Sequence, residues 1–301
     1  MKQLVMAGLL ILAIQCVLVV TVYWPQTVDR QAESMESFAG FNGASIDEIF
    51  VGDEYDNETL LKKVGDRWLL PELEDLPADT AMIYKLLDAL TGDETQWPVA
   101  DSVAARQRFQ VAPYYYQRRI RLLGDNQLQG TFFLGKSPGF RKVHVRNADQ
   151  DAIYNISFNA YEAPGHSGAW LDRKLLQIRT PLRINADSYS LSWQDGEWRS
   201  GLGRQPEERE LEALLAALRS LQVDGIADGD QQRDLAEAEA ELLLEVESLG
   251  GTVRLELFTL GKQHFIYSSE YPLFFTISAY DYERLTGIDF RLISGEAGDG
   301  Q

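Results

Sequence analysis

Cys16 is the only cysteine in the chain, so no disulfide can staple it and its soluble part must be held by its own hydrophobic core. Histidine is nearly as scarce. His144, His166 and His264 stand far apart, none with a second His or Cys at ligand spacing, which argues against a zinc or iron centre. There is no Gly-x-Ser-x-Gly elbow, and His166-Ser167-Gly168 alone specifies no serine triad. Basic charge is in deficit, with 28 Lys and Arg against 46 Asp and Glu. The formal net charge of −18 disfavours nucleic acid and anionic lipid as bulk electrostatic partners. Among so many carboxylates some pair always falls close together, so spacing gives no ground for a glycosidase. No cofactor, metal or catalytic residue is assigned, and the chain reads as a non-enzyme.

What is present begins with a long apolar run. Leu4 to Trp24 is interrupted only by Gln15 and by Thr21 and Tyr23 near its end. About 21 helical residues at ~1.5 Å each span roughly 30 Å of hydrocarbon, enough to cross a bilayer. A cleaved signal peptide has a shorter core and a small-x-small site, whereas this run ends in Val22-Tyr23-Trp24-Pro25, whose aromatics suit the headgroup boundary. Lipidation at Cys16 is disfavoured, because Gln15 stands where a small residue is wanted and the apolar run continues to Val20. Lys2 before the run and Arg30 after it, with a large C-terminal part, give a signal-anchor layout, with the soluble part expected outside the cytoplasm.

The chain then repeats itself. Gly65-Asp66-Arg67-Trp68 precedes a helical pattern over 78–90, and Asp195-Gly196-Glu197-Trp198 precedes another over 206–218. Each unit then reaches a hydrophobic strand ending in Leu-Gly-Lys, at Leu134-Gly135-Lys136 and Leu260-Gly261-Lys262. Met82, Leu86 and Leu90 recur at helical spacing, as do Leu211, Leu214, Leu215 and Leu218 after Pro206 and two glutamates. Val253, Leu255 and Leu257 alternate with Arg254 and Glu256 as in a half-buried strand after the Gly250-Gly251 turn. The expected fold is α+β: a transmembrane helix, then two tandem units, each an antiparallel sheet packed with one main amphipathic helix. The expected bounds are an anchor at 1–24, a linker at 25–43, units at 44–178 and 179–292, and a flexible tail at 293–301.

The Trp68 and Trp198 signatures, the Gly-Lys turns, Val143-His144-Val145-Arg146 followed by Ala152-Ile153-Tyr154, and Trp170-Leu171-Asp172-Arg173-Lys174-Leu175-Leu176 together resemble the bacterial envelope family catalogued as domain of unknown function 4340. The resemblance covers most of residues 44–290. It implies an envelope protein of a kind often associated with ABC-type transport systems, including auxiliary components related to gliding motility; with the signal-anchor layout, the expected place is the bacterial inner membrane with the soluble domain in the periplasm or outside. It carries over no catalytic residues.

Several apparent sites have plainer explanations. Gly130-Thr131-Phe132-Phe133-Leu134-Gly135-Lys136-Ser137 satisfies the Walker A spacing. Its middle, however, is strand-forming, and Pro138-Gly139 follows where a helix N-terminus would have to hold phosphate. A strand and turn is expected, and no nucleotide. Trp68 and Trp198 are better read as core aromatics than as sugar platforms. The sequons at Asn57 and Asn155 matter only in a eukaryotic secretory pathway.

Charge is unevenly spread. From Asp101 to Arg183 there are 13 Lys/Arg against 6 Asp/Glu, a local +7. Alternation places Arg119 and Arg121 on one strand face, and Lys142, His144 and Arg146 on another. Adjoining, these faces would form a basic surface, directed either at the acidic second unit or at an external anionic partner. The expected function is a membrane-anchored accessory or scaffold protein of an envelope or transporter complex. The alternatives are a binding module for an anionic envelope polymer or lipid headgroup and, less favoured, a hydrolase.

Overall fold

The computed structural model describes residue 15, residues 43–91 and residues 97–295. Apart from Gln15, the expected anchor Leu4–Trp24 and the linker to Asn42 lie outside the described residues, as does the chain from Glu296 on. Among the described residues no helix is long and apolar enough to cross a membrane. The protein is α+β, with two large antiparallel sheets and few helices. It divides into two compact units, residues 43–72 with 80–167, and residues 73–79 with 168–295. The second unit begins before the expected residue 179, because the Trp170-Leu171-Asp172 segment is bonded into it. Asp79 N–H donates to the Trp170 carbonyl at 2.7 Å and Asp172 N–H to the Pro77 carbonyl at 2.9 Å.

The principal strands of the first unit are β1 (Glu48–Asp53), β2 (Glu58–Val64), β3 (Arg67–Leu70), β4 (Arg118–Gly124), β5 (Gln127–Leu134), β6 (Val143–Asn147) and β7 (Tyr154–Ile156). They lie in the order β7-β6-β5-β4-β1-β2-β3. Helix α1 (Thr80–Thr91) buries Ile83, Leu86, Leu87 and Leu90, the stripe its periodicity predicts. In β4 burial alternates as expected of a strand: Ile120 and Leu122 are in the core while Arg119 and Arg121 occupy the opposite face. That second face is covered by the short helix α2 (Val103–Arg108), N-capped by Ser102, and by a hairpin of Val111–Ala112 with Tyr115–Tyr116. Ala105, Val111, Phe133 and Ile153 form a satellite core there. At the end of β1, Asp53 accepts hydrogen bonds from the Tyr55 and Asn57 backbone and the Asn57 side chain. Burial pushes its carboxyl up, but these bonds and the nearby Arg118 charge outweigh it and hold the carboxyl below the usual range.

The second unit contains β8 (Pro181–Ala186), β9 (Ser190–Gln194), β10 (Glu197–Ser200), β11 (Val223–Ile226), β12 (Leu242–Ser248), β13 (Gly251–Leu260), β14 (Gln263–Ser268) and β15 (Phe274–Ile277). Their order is β10-β9-β8-β12-β13-β14-β15-β11. With β11 at the far edge set aside, both sheets follow one rule. Numbered along each unit, the strands run third, second, first, fourth, fifth, sixth, seventh. Helix α3 (Glu208–Ser220) starts after Pro206 with Glu207 as its cap and buries Leu214, Leu215, Ala217 and Leu218. The stretch before β12, alanine- and glutamate-rich, is divided. Helix α4 (Gly229–Ala236) is closed by an Asp228/Gln231 capping box, and strand begins at Leu242. Leu235 of α4 joins Ala227, Phe258, Phe265 and Phe274 in a satellite core on the second sheet face. Helices α5 (Ala279–Thr286) and α6 (Phe290–Ile293) complete the unit. Ile293, assigned to the tail by sequence, is fully buried.

Candidate binding groove

The expected basic surface is present as a register but not as a surface. Arg119 pairs across the sheet with Phe133, and Phe133 with Arg146, so the two arginines share a face as the alternation requires. Arg146 nevertheless lies beneath the 111–116 hairpin, 1% exposed. Its Nε donates to the Val111 carbonyl at 2.9 Å, and its Nη1 donates to the carbonyls of Asn147, Ala148 and Gln150 at 3.0–3.1 Å. His144 is buried with its ring 4.1 Å from that of Phe109, and burial pushes its imidazole below the ordinary value. Arg119 and Arg121 both donate to Glu58, at 3.2 and 2.7 Å, and Arg121 lies 4.3 Å over the Phe50 ring. Only Lys142 of the five is exposed. The expected basic face is thus split: Arg146 and His144 are internal, Arg119 and Arg121 stay partly exposed but paired with Glu58, and Lys142 is exposed.

The Walker-like segment is strand, as expected: Phe132, Phe133 and Leu134 are buried in β5. Among the described residues no group of three or more His, Cys, Asp and Glu is placed to hold a metal ion. A titratable cluster at the β13–β14 end works to pin α5. The Tyr282 hydroxyl donates to the Glu241 carboxylate, and His264 stacks on the Tyr282 ring at 4.1 Å. That bond holds the Glu241 carboxyl below its usual range, while burial and then the Glu241 bond push Tyr282 up.

The two signature tryptophans part company. Trp68 on β3 is a core residue, 1% exposed. Trp198 on β10 is half-buried and opens onto a groove. Its position follows from the hairpin. A two-residue turn, Asp195-Gly196 with both φ positive, sets Gln194 opposite Glu197 and Trp193 opposite Trp198. Trp193 lies on the same strand face as Leu191, whose neighbour Ile184 is in the core, so the apolar face of the sheet continues outward along the hairpin. The two indoles meet edge to face, centroids 5.9 Å apart and planes at 66°.

The result is an open groove of about 320 Å³ lined by Leu182, Leu215, Leu249, Trp193 and Trp198, with Pro181 and Thr180 beside them and Arg179 and Arg219 among its walls. Leu249, in the β12–β13 turn, is 78% exposed and Trp193 is 48% exposed. Arg219 is held to Glu212 at 3.4 Å. Neighbouring Arg183 and Arg199 are paired with Glu247 and Glu197. Arg179 has no carboxylate within ion-pair distance among the described residues. Of these groove residues the sequence pattern singled out Trp198 as a core aromatic and Leu215 as part of a helical stripe, and neither as a groove residue. The Trp193-Gln194-Asp195-Gly196-Glu197-Trp198 string carried the missing signal, because a two-residue turn places its ends face to face.

Residues 68–242, more than half of the chain, match the family described as Domain of unknown function (DUF4340). The chain belongs to that family. No curated protein and no solved structure matches it.

Proposed function

We propose that the chain is a membrane-anchored envelope protein that acts by binding: an accessory or scaffold component, of the kind associated with ABC-type transport systems, that holds a partner in the Trp193–Trp198 groove. The observation that carries this reading is the groove itself. Exposed Trp193 and Leu249, half-buried Trp198 and Leu182 and the exposed Arg179 and Arg219, set over buried Leu215, form the composition found at binding hot spots, where tryptophan and arginine dominate. A soluble domain gains nothing by exposing such a wall unless something covers it. The anchor is Leu4–Trp24, with the described part outside the cytoplasm. The shared strand order supports descent of the two units from one duplicated module, in which the first unit's tryptophan stayed in the core and the second unit's came to serve the groove. The test uses the full chain, tagged and extracted from its own membranes. A Trp193→Ala/Trp198→Ala variant that still melts cooperatively, well above the temperature of the extraction, should lose the proteins that accompany the wild type. Retention of the same companions in the same amounts would refute the reading.

A further inference from the structure

We propose that the occupant of the groove is a peptide segment of another protein that presents a large apolar side chain beside a single carboxylate; this rests on the binding role just given. The groove wall is mostly hydrocarbon and indole, and among its lining residues polar groups come only from Arg179, Thr180, Arg219 and the two indole N–H donors. A sugar would bury ring hydroxyls against a wall with few donors and acceptors to meet them, at a cost for each one left unpaired. An acyl chain is held by enclosure, and this trench of about 320 Å³ is open along its length. A densely anionic polymer or bilayer surface would meet Glu197, Glu212 and Glu247, which already neutralise Arg199, Arg219 and Arg183. What remains is one guanidinium that, among the described residues, has no carboxylate within ion-pair distance, at Arg179, next to a wall that takes apolar side chains. A carboxylate there forms a charge-assisted, bidentate hydrogen bond with the exposed guanidinium. The complement is therefore a leucine- or phenylalanine-sized side chain with a glutamate or aspartate adjoining it.

The test is a titration of full-length chain, in nanodiscs of zwitterionic lipid, with a fluorescein-labelled peptide Ser-Leu-Phe-Glu-Leu-Ser followed by anisotropy. Saturable binding is expected. Trp198→Ala and Arg179→Glu should each weaken it about tenfold or more. So should replacing the peptide's glutamate by glutamine, about 1.4 kcal/mol per tenfold. Binding that is equal in wild type, Trp198→Ala and Arg179→Glu would overturn the proposal, as would a glutamine peptide that binds as well as the glutamate one. Phosphatidylglycerol vesicles or polygalacturonate that displace the peptide and bind more tightly would reassign the groove to lipid or polysaccharide, against the proposal. If the peptide fails but the double tryptophan variant still loses its companions in cells, the occupant class assigned here is wrong and the binding role stands. If both fail, the groove has no binding role.

Discussion

A charged side chain can be structural or functional, and Arg146 and Arg179 illustrate what decides. Both sit in the one basic stretch of an acidic chain. Arg146 spends its donors on four carbonyls under a hairpin, whereas Arg179 lines the groove and, among the described residues, has no carboxylate within ion-pair distance. Arg146→Met should therefore cost roughly 3 kcal/mol or more by leaving buried carbonyls without donors. Arg146→Lys should recover little of this, since an ammonium cannot fork between Val111 and the 147–150 loop; urea denaturation of both variants measures it. The tryptophans separate in the same way. Trp68→Ala should cost about 3–5 kcal/mol, and Trp198→Ala less than about 2 kcal/mol because part of its surface is already in water. His144 sets a pH dependence. Its folded pKa is depressed by burial, so the unfolded chain binds the proton more readily and stability rises with pH through this window. The contribution is complete above the unfolded value of about 6.5 and is lost as pH falls below it. Melting curves between pH 5 and 8 should show that slope, and His144→Leu should flatten it. Alternation was legible for all these residues. Exposure was not, because it depends on which distant segment folds over the strand.

At the scale of elements, the two Leu-Gly-Lys strings show how one sequence signal covers two physical demands. Each ends the fifth strand of its unit, as the repeat implied. At Gly135 the demand is space: an added Cβ would lie 2.0 Å from the Phe109 carbonyl oxygen and 2.5 Å from that of Gln110, both rigid backbone. At Gly261 it is conformation: φ is +65° in the β13–β14 turn and nothing lies within 4 Å. Gly261→Ala should accordingly cost about 1 kcal/mol. Gly135→Ala should cost several times more, or displace the 109–116 cover and expose His144 to solvent; denaturation midpoints and hydrogen exchange at β6 distinguish the two results. The main helices and the antiparallel hairpins were readable from period and turn chemistry. The short helices α2 and α4 were missed because six to eight residues give too few turns for a periodic signal, leaving only their Ser102 and Asp228 caps as clues.

At the scale of the whole molecule, the repeat was legible because core positions and turns impose the same pattern twice. The groove was not, because it arises where the second unit departs from the first: Trp193 stands opposite Trp198, where Lys63 stands opposite Trp68. If the two units descend from one module, as proposed above, divergence between them is where a new role is expected, since each unit's own core already secures its fold. The proposed anchor makes a separate prediction. A C-terminal alkaline phosphatase fusion should be active and a cytoplasmic reporter fusion silent, and the opposite pattern would place the soluble part inside. The central claim, that the groove grips a protein partner in the envelope, is tested most directly by a photoreactive amino acid placed at position 193 of the full-length chain in living cells. One discrete cross-linked protein, captured from 193 but not from exposed Tyr84 on α1 and diminished by Arg179→Glu, is the predicted result. The same labelling pattern from positions 193 and 84, or no adduct from 193 in cells where the chain is active, would contradict it.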